Sequence, residues 1–142
     1  MEYCCHIWAG ASKSCLSSLD KVQRRLRRLV GDSLFSTLQP LSHRRNVASL
    51  SLFYRYYNGK CSQELQQMVP CCKTFERSTR YSSRVQKNHP HFLQVEGIYP
   101  KYHMGSFFPR TASLWNTLAS DSFPDSYDIF KKSVNELFLP LT

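Results

Sequence analysis

Glycine is scarce in this chain, with five in 142 residues, and each stands alone. A phosphate-cradling loop needs clustered glycines, so that backbone N–H groups can close on the anion, and no such cluster is found. Acidic residues are scarce too, at ten. Two-metal chemistry and general acid–base work both need carboxylates held in pairs. The only cluster is Asp121, Asp125 and Asp128, at the start of an amphipathic segment. Acid there caps a helix and complements its dipole. G-x-S-x-G and H-E-x-x-H are both missing. Six cysteines and five histidines make chance Cys–His pairs common, so they mark no nucleophile. The expectation is a non-enzyme.

Long apolar runs are lacking as well. No stretch approaches the roughly 18–20 apolar residues of a membrane span. The segment MEYCCHIWAGASKS has a short apolar centre, but Glu2 is acidic and no basic stretch precedes it. It does not read as a secretory signal, and an intracellular chain with reduced thiols is expected. Cys4, Cys5, Cys15, Cys61, Cys71 and Cys72 form no C-x2-C or C-x4-C pair. Adjacent cysteines point in different directions along a helix or strand, so Cys4–Cys5 and Cys71–Cys72 make poor chelates. His6, His43, His89, His91 and His103 show no ligand spacing, and neither metal nor cofactor is expected.

What the chain does carry is positive charge, unevenly placed. The net charge is +9, with ten Lys/Arg against three carboxylates in residues 1–60 and nine against seven thereafter. That asymmetry suggests a polyanionic partner. At 42% hydrophobic and 13% aromatic, the chain has enough apolar residues for a core of its own.

Helical periodicity dominates both ends. Ser12 or Ser14 can cap a helix running to Gly31, a natural terminator. At 100° per residue, Leu16, Leu19, Val22, Leu26, Leu29 and Val30 share one stripe. Lys21, Arg24, Arg25, Arg27 and Arg28 lie opposite, making one rod with a docking face and a cationic face. Leu41-Ser42 reads as a hydrophobic residue before a serine cap. The helix that follows runs to Gly59, with Val47, Leu50, Phe53, Tyr54 and Tyr57 on its main stripe and Leu52 and Tyr56 facing away. A short helix, SQELQQMV, stops at Pro70. Residues 71–105 lose the period, and Ser, Thr, Arg and Lys dominate. They read as a basic, mobile loop, with a short extended piece near Phe92–Val95. Order returns at SFFPRTASLWNTL, where a first turn tolerates Pro109. FPDSYDIFKKSVNELF then offers Asp125 or Ser126 as a cap and Tyr127, Phe130, Val134, Leu137 and Phe138 as a stripe. The expected fold is mainly α. It is a small helical bundle of a basic helical segment (1–70), a basic irregular loop (71–105) and a C-terminal helical segment (106–142), together one incomplete domain.

Several phrases fall in the order they take in one family: EYCCHIWAGA, LDKVQRRLRRLV, LQPLSHRRNVASLSLFYRYYNGKCSQEL, RSTRYSSR and SFFPRTASLWNTL with FPDSYDIFKKSVNEL. Over Glu2 to Leu137 the chain resembles the region after the polymerase core in jockey-like, non-long-terminal-repeat retrotransposon reverse transcriptases. Leu26 stands where that family often has a smaller residue. The resemblance implies that the metal-binding aspartates and endonuclease of such an enzyme lie upstream, and that this chain is a truncated tail of an RNA-directed DNA polymerase. It also implies thumb-like helices beside a template–product duplex.

The resemblance gives the cationic face a use. Lys21, Arg24, Arg25, Arg27 and Arg28, with His43, Arg44, Arg45 and Arg55 adding to them, would meet RNA or DNA backbone without reading sequence. Arg77, Arg80 and Arg84 would add a flexible arm. A plainer reading stands beside this: Arg is a fair helix former, and such a face is often just solvated. In another reading, the chain is a helical structural segment with no function of its own that packs on the upstream polymerase domain. An anionic membrane is a weaker partner, because the apolar face lacks Trp and Phe.

Overall fold

The computed structural model describes residues 3–31, 39–70, 80, 90–95, 100, 103–119 and 122–138. Within these the chain is mainly helical, as the periodicity anticipates. Six helices follow in order: α1 (Cys5–Trp8), α2 (Lys13–Val30), α3 (Leu41–Tyr57), α4 (Gln63–Gln67), α5 (Phe107–Trp115) and α6 (Tyr127–Leu137). The helix starts follow local chemistry. Ser12 accepts a hydrogen bond from the Cys15 amide at 3.3 Å, and α2 ends where Gly31 takes a positive φ of 88°. Ser126 sits at the N-cap position of α6, with Asp128 in the first turn.

α3 starts differently from the expectation. Ser42 is exposed inside the first turn, and Pro40 occupies the cap position with no side chain to offer. The capping group arrives from another helix. The Gln23 side chain of α2 accepts from the Leu41 amide at 2.8 Å and donates to the Gln39 carbonyl at 3.0 Å. A helix start leaves amides without intrahelical partners, and Gln23 satisfies one of them.

α3 is the axis of the bundle, and each substantial helix–helix contact among the described residues involves it. Its stripe of Val47, Leu50, Phe53, Tyr54 and Tyr57 meets α5 and α6 as the period requires. Trp115 is the hub. It is fully buried, with ring centroids 5.2 Å from Phe53, 4.7 Å from Phe123 and 5.8 Å from Phe130. Tyr54 stacks on Phe130 at 4.3 Å and donates its hydroxyl to the Pro124 carbonyl. Burial, with the Asp125 carboxylate adding, raises the Tyr54 phenol above its usual value.

Residues 90–95 belong to this core. Leu93 and Val95 point inward while Gln94 is exposed, the alternation of an extended segment. Side chains of α5 and the residue beyond it hold the segment. Trp115 Nε1 donates to the His91 carbonyl at 3.0 Å, and the Asn116 amide pairs with both backbone groups of Leu93 at 2.9 Å. Most of the segment expected to be a mobile loop lies outside the described residues. At the other end, Gly10 passes so close to Gly105 that a Cβ on Gly10 would lie 1.9 Å from the Gly105 carbonyl oxygen. Only glycine fits there.

Candidate nucleic-acid interface

α2 sets the geometry of the cationic face. Among its side chains none is buried. It rests on α3 along one edge, through the Gln23 bonds and through Asp20. The Asp20 carboxylate accepts from both ends of the Arg45 guanidinium, at 3.1 and 3.4 Å. This anchoring turns the helix so that two other surfaces face solvent. On one flank Lys21, Arg24, Arg25, Arg27 and Arg28 are all exposed. Lys21, Arg24, Arg25 and Arg28 have no ion-pair partner among the described residues. The other surface is the leucine–valine stripe, expected as a docking face. Val22, Leu26, Leu29 and Val30 are exposed by 42–77%, and only Leu16 and Leu19 are half-buried. The polar edge of α2 meets α3, and the centre of the apolar stripe does not.

The remaining cations divide. Arg45 is buried, held by Asp20 and lying 5.7 Å over the Trp8 ring. A guanidinium kept from water needs a charge partner and a polarisable surface, and it has both. Arg45 therefore fastens α1, α2 and α3 together and is not part of the exposed flank. Arg44 is half-buried, and desolvation lowers its guanidinium pKa. Arg80 is exposed. Arg77 and Arg84 lie outside the described residues. His43 is buried at the foot of α6, with Nδ1 donating to the Phe138 carbonyl at 2.7 Å and Nε2 lying 2.9 Å from the Asn135 amide.

Two residues of consequence gave no signal in the sequence. Gln23 reads as one more polar position, yet it caps α3. Asp20 reads as a solvated acid within a basic helix, yet it orients that helix through Arg45. Both partners lie 18 or more positions away. Arg24 and Arg27 also line a cleft of about 270 Å³ between α2 and the first turn of α3, with Pro40, Leu41 and Ser42 on its far side. Among the described residues no group of His, Cys, Asp or Glu is arranged to hold a metal ion, and no helix is long and apolar enough to cross a membrane. No protein-family model, curated protein or solved structure matches the chain.

Proposed function

We propose that this chain is the post-polymerase part of a jockey-like retrotransposon reverse transcriptase and that it binds nucleic-acid backbone without catalysing a reaction. The observation that carries the binding is the exposed cationic flank of α2, where four side chains lack acidic partners among the described residues. Arginines spread along a helix flank address phosphates rather than base edges, so binding is sequence-blind. Four phosphate contacts on duplex give a log K against log salt slope of about −3.6, from roughly −0.9 per phosphate. Replacing Arg24, Arg25, Arg27 and Arg28 together by Gln flattens most of that slope in an anisotropy titration. The variant keeps its fold, because Gln is a good helix former and none of the four is buried. An unchanged slope would reduce the flank to a solvated surface. In primer extension with Mg²⁺ or Mn²⁺, the chain gives no product above a boiled control.

The exposed stripe of Val22, Leu26, Leu29 and Val30 favours a second reading. Clustered apolar side chains in water favour association with another polypeptide, such as the polymerase domain of the parent element. In that case the chain alone self-associates with rising concentration, and nucleic acid binds weakly at every salt concentration. Sedimentation velocity over a tenfold concentration range separates the two readings.

A further inference from the structure

A second cationic surface lies away from α2. Arg44 and Arg55 stand eleven residues apart on α3, three helical turns, so they share one face roughly 16 Å apart along the axis. Between them run Ala48, Ser51 and Leu52. α6 forms one wall with Lys131 and Tyr127, and the result is an open groove of about 550 Å³. Among the described residues no carboxylate lines it. Arg55 and Lys131 are exposed and have no ion-pair partner among the described residues. Ser51 is 5% exposed, and its hydroxyl has no hydrogen-bond partner among the described residues.

We propose that this groove binds the phosphodiester backbone of a single nucleic-acid strand, with Arg55 and Lys131 as its phosphate contacts and Arg44 marking its far end. The inference rests on the nucleic-acid reading above and adds a site separate from the α2 flank. The shape selects a strand. The floor is one face of α3 and the wall is α6, so the groove follows a single line of phosphates, and its length suits a few nucleotides. The floor selects against an acidic peptide. An extended peptide brings an N–H and a C=O at each residue, and of the floor residues Ala48, Ser51 and Leu52 only the Ser51 hydroxyl can partner them, since the backbone of α3 is bonded within the helix. A phosphodiester has no backbone donors to satisfy. Its sugars and bases can rest on Ala48, Leu52 and the half-buried Tyr127 ring while the cations hold its phosphates.

The test uses the 142-residue chain, a fluorescein-labelled ten-nucleotide oligo(dT) and a labelled duplex. Arg55→Gln with Lys131→Gln should weaken oligo(dT) binding about tenfold at low salt and reduce the salt slope by about 1.4, from roughly −0.7 per phosphate on a single strand. Duplex binding should change less than twofold. The four-Gln variant of α2 should show the reverse preference. Amide shifts on titration of the unmodified chain with oligo(dT) should concentrate at residues 44–55 and 127–135, a readout independent of any substitution. If the groove variant binds oligo(dT) as the unmodified chain does, or the shifts fall on 19–31, the groove assignment is overturned and the α2 reading stands. If the unmodified chain binds neither probe at low salt, both are overturned. Displacement of oligo(dT) by poly-glutamate at equal charge concentration would overturn the choice of a phosphodiester.

Discussion

α2 has 18 residues and α3 has 17, both carry arginines and both carry a regular apolar stripe, yet nine side chains of α3 are buried and none of α2 is. α2 is the more cleanly divided of the two into apolar and charged faces. α3 mixes His43, Arg45, Ser49 and Ser51 into its buried surface. Amphipathicity therefore marks what a helix could bury, and neighbours decide what it does bury. α3 is pressed from several sides, and three of these four polar groups acquire partners there, Ser51 being the exception. His43 meets Phe138 and Asn135, Arg45 meets Asp20, and Ser49 lies 3.5 Å from the Arg110 guanidinium. Among the described helices α2 makes its substantial contact with α3 alone. The contact that orients it is polar, because the amide of Leu41 and the charge of Arg45 both require satisfaction when buried.

The largest test of this contrast sets one core residue against one on the stripe. Trp115→Ala removes the hub of the aromatic cluster and a hydrogen bond to His91, and should cost about 3–5 kcal/mol in denaturant unfolding. Leu29→Ala removes a side chain that is 77% exposed and should fall within about 0.5 kcal/mol of the parent. Comparable losses from the two would mean that the stripe of α2 is covered in solution.

A smaller effect tests the anchor. Asp20→Ala leaves the buried Arg45 guanidinium without its carboxylate and should cost about 1.5–3 kcal/mol, the range for hydrogen bonds to charged groups. Gln23→Ala removes the cap on Leu41 and should cost about 1 kcal/mol. Both losses should be accompanied by faster proteolysis at Arg24–Arg28. If cleavage there does not change, the polar edge is not what holds α2.

Alkaline pH probes α3 in its own surroundings. The Tyr54 phenol titrates above its ordinary value in the folded chain, so the folded state holds its proton longer than the unfolded state does. Stability from this group is complete below the unfolded value near 10 and is lost as pH rises from there through the folded value. Tyr54→Phe should be less stable at neutral pH, for want of the bond to Pro124, and should decline less steeply above pH 10. Equal alkaline slopes would remove Tyr54 as the cause.

The smallest effect belongs to the charges of α2. Lys21 with Arg25 and Arg24 with Arg28 are like-charged pairs four positions apart, and each costs about 0.2–0.5 kcal/mol at low salt. The four-Gln variant should therefore be slightly more stable than the parent at low salt, with the difference vanishing in 1 M salt. A destabilised variant would show that these arginines make contacts within the fold.

Much of the architecture was legible in the sequence. Three of the four longer helices were readable within about one residue, because a sustained 3.6-residue period is hard to produce otherwise, while α5, with only nine residues, was expected to run about four residues past its end at Trp115. The α3 stripe was readable for the same reason. The α3 cap was not, since local chemistry pointed to Ser42 while the capping group came from Gln23 in another helix. Nor could the period tell which edge of α2 would dock, because that depended on Arg45 lying buried 25 positions downstream of Asp20. The exposed flank of the candidate site followed from spacing alone. The place of Arg45 in an ion pair, and the placing of Lys131 and Arg55 along one groove, depend on tertiary structure and leave no local trace.

The clasp between Asn116 and Leu93 has a consequence in time. One side-chain amide supplies both an acceptor and a donor to a single residue, as a neighbouring strand would. The Leu93 N–H should then exchange with solvent deuterium only when the helical core opens, at a rate set by the global unfolding equilibrium. The exposed neighbour Gln94 should exchange sooner. Asn116→Asp keeps an acceptor for the Leu93 N–H but sets a carboxylate against the Leu93 carbonyl. In that variant the exchange rate of Leu93 should rise towards that of Gln94 while the amides of α3 keep theirs.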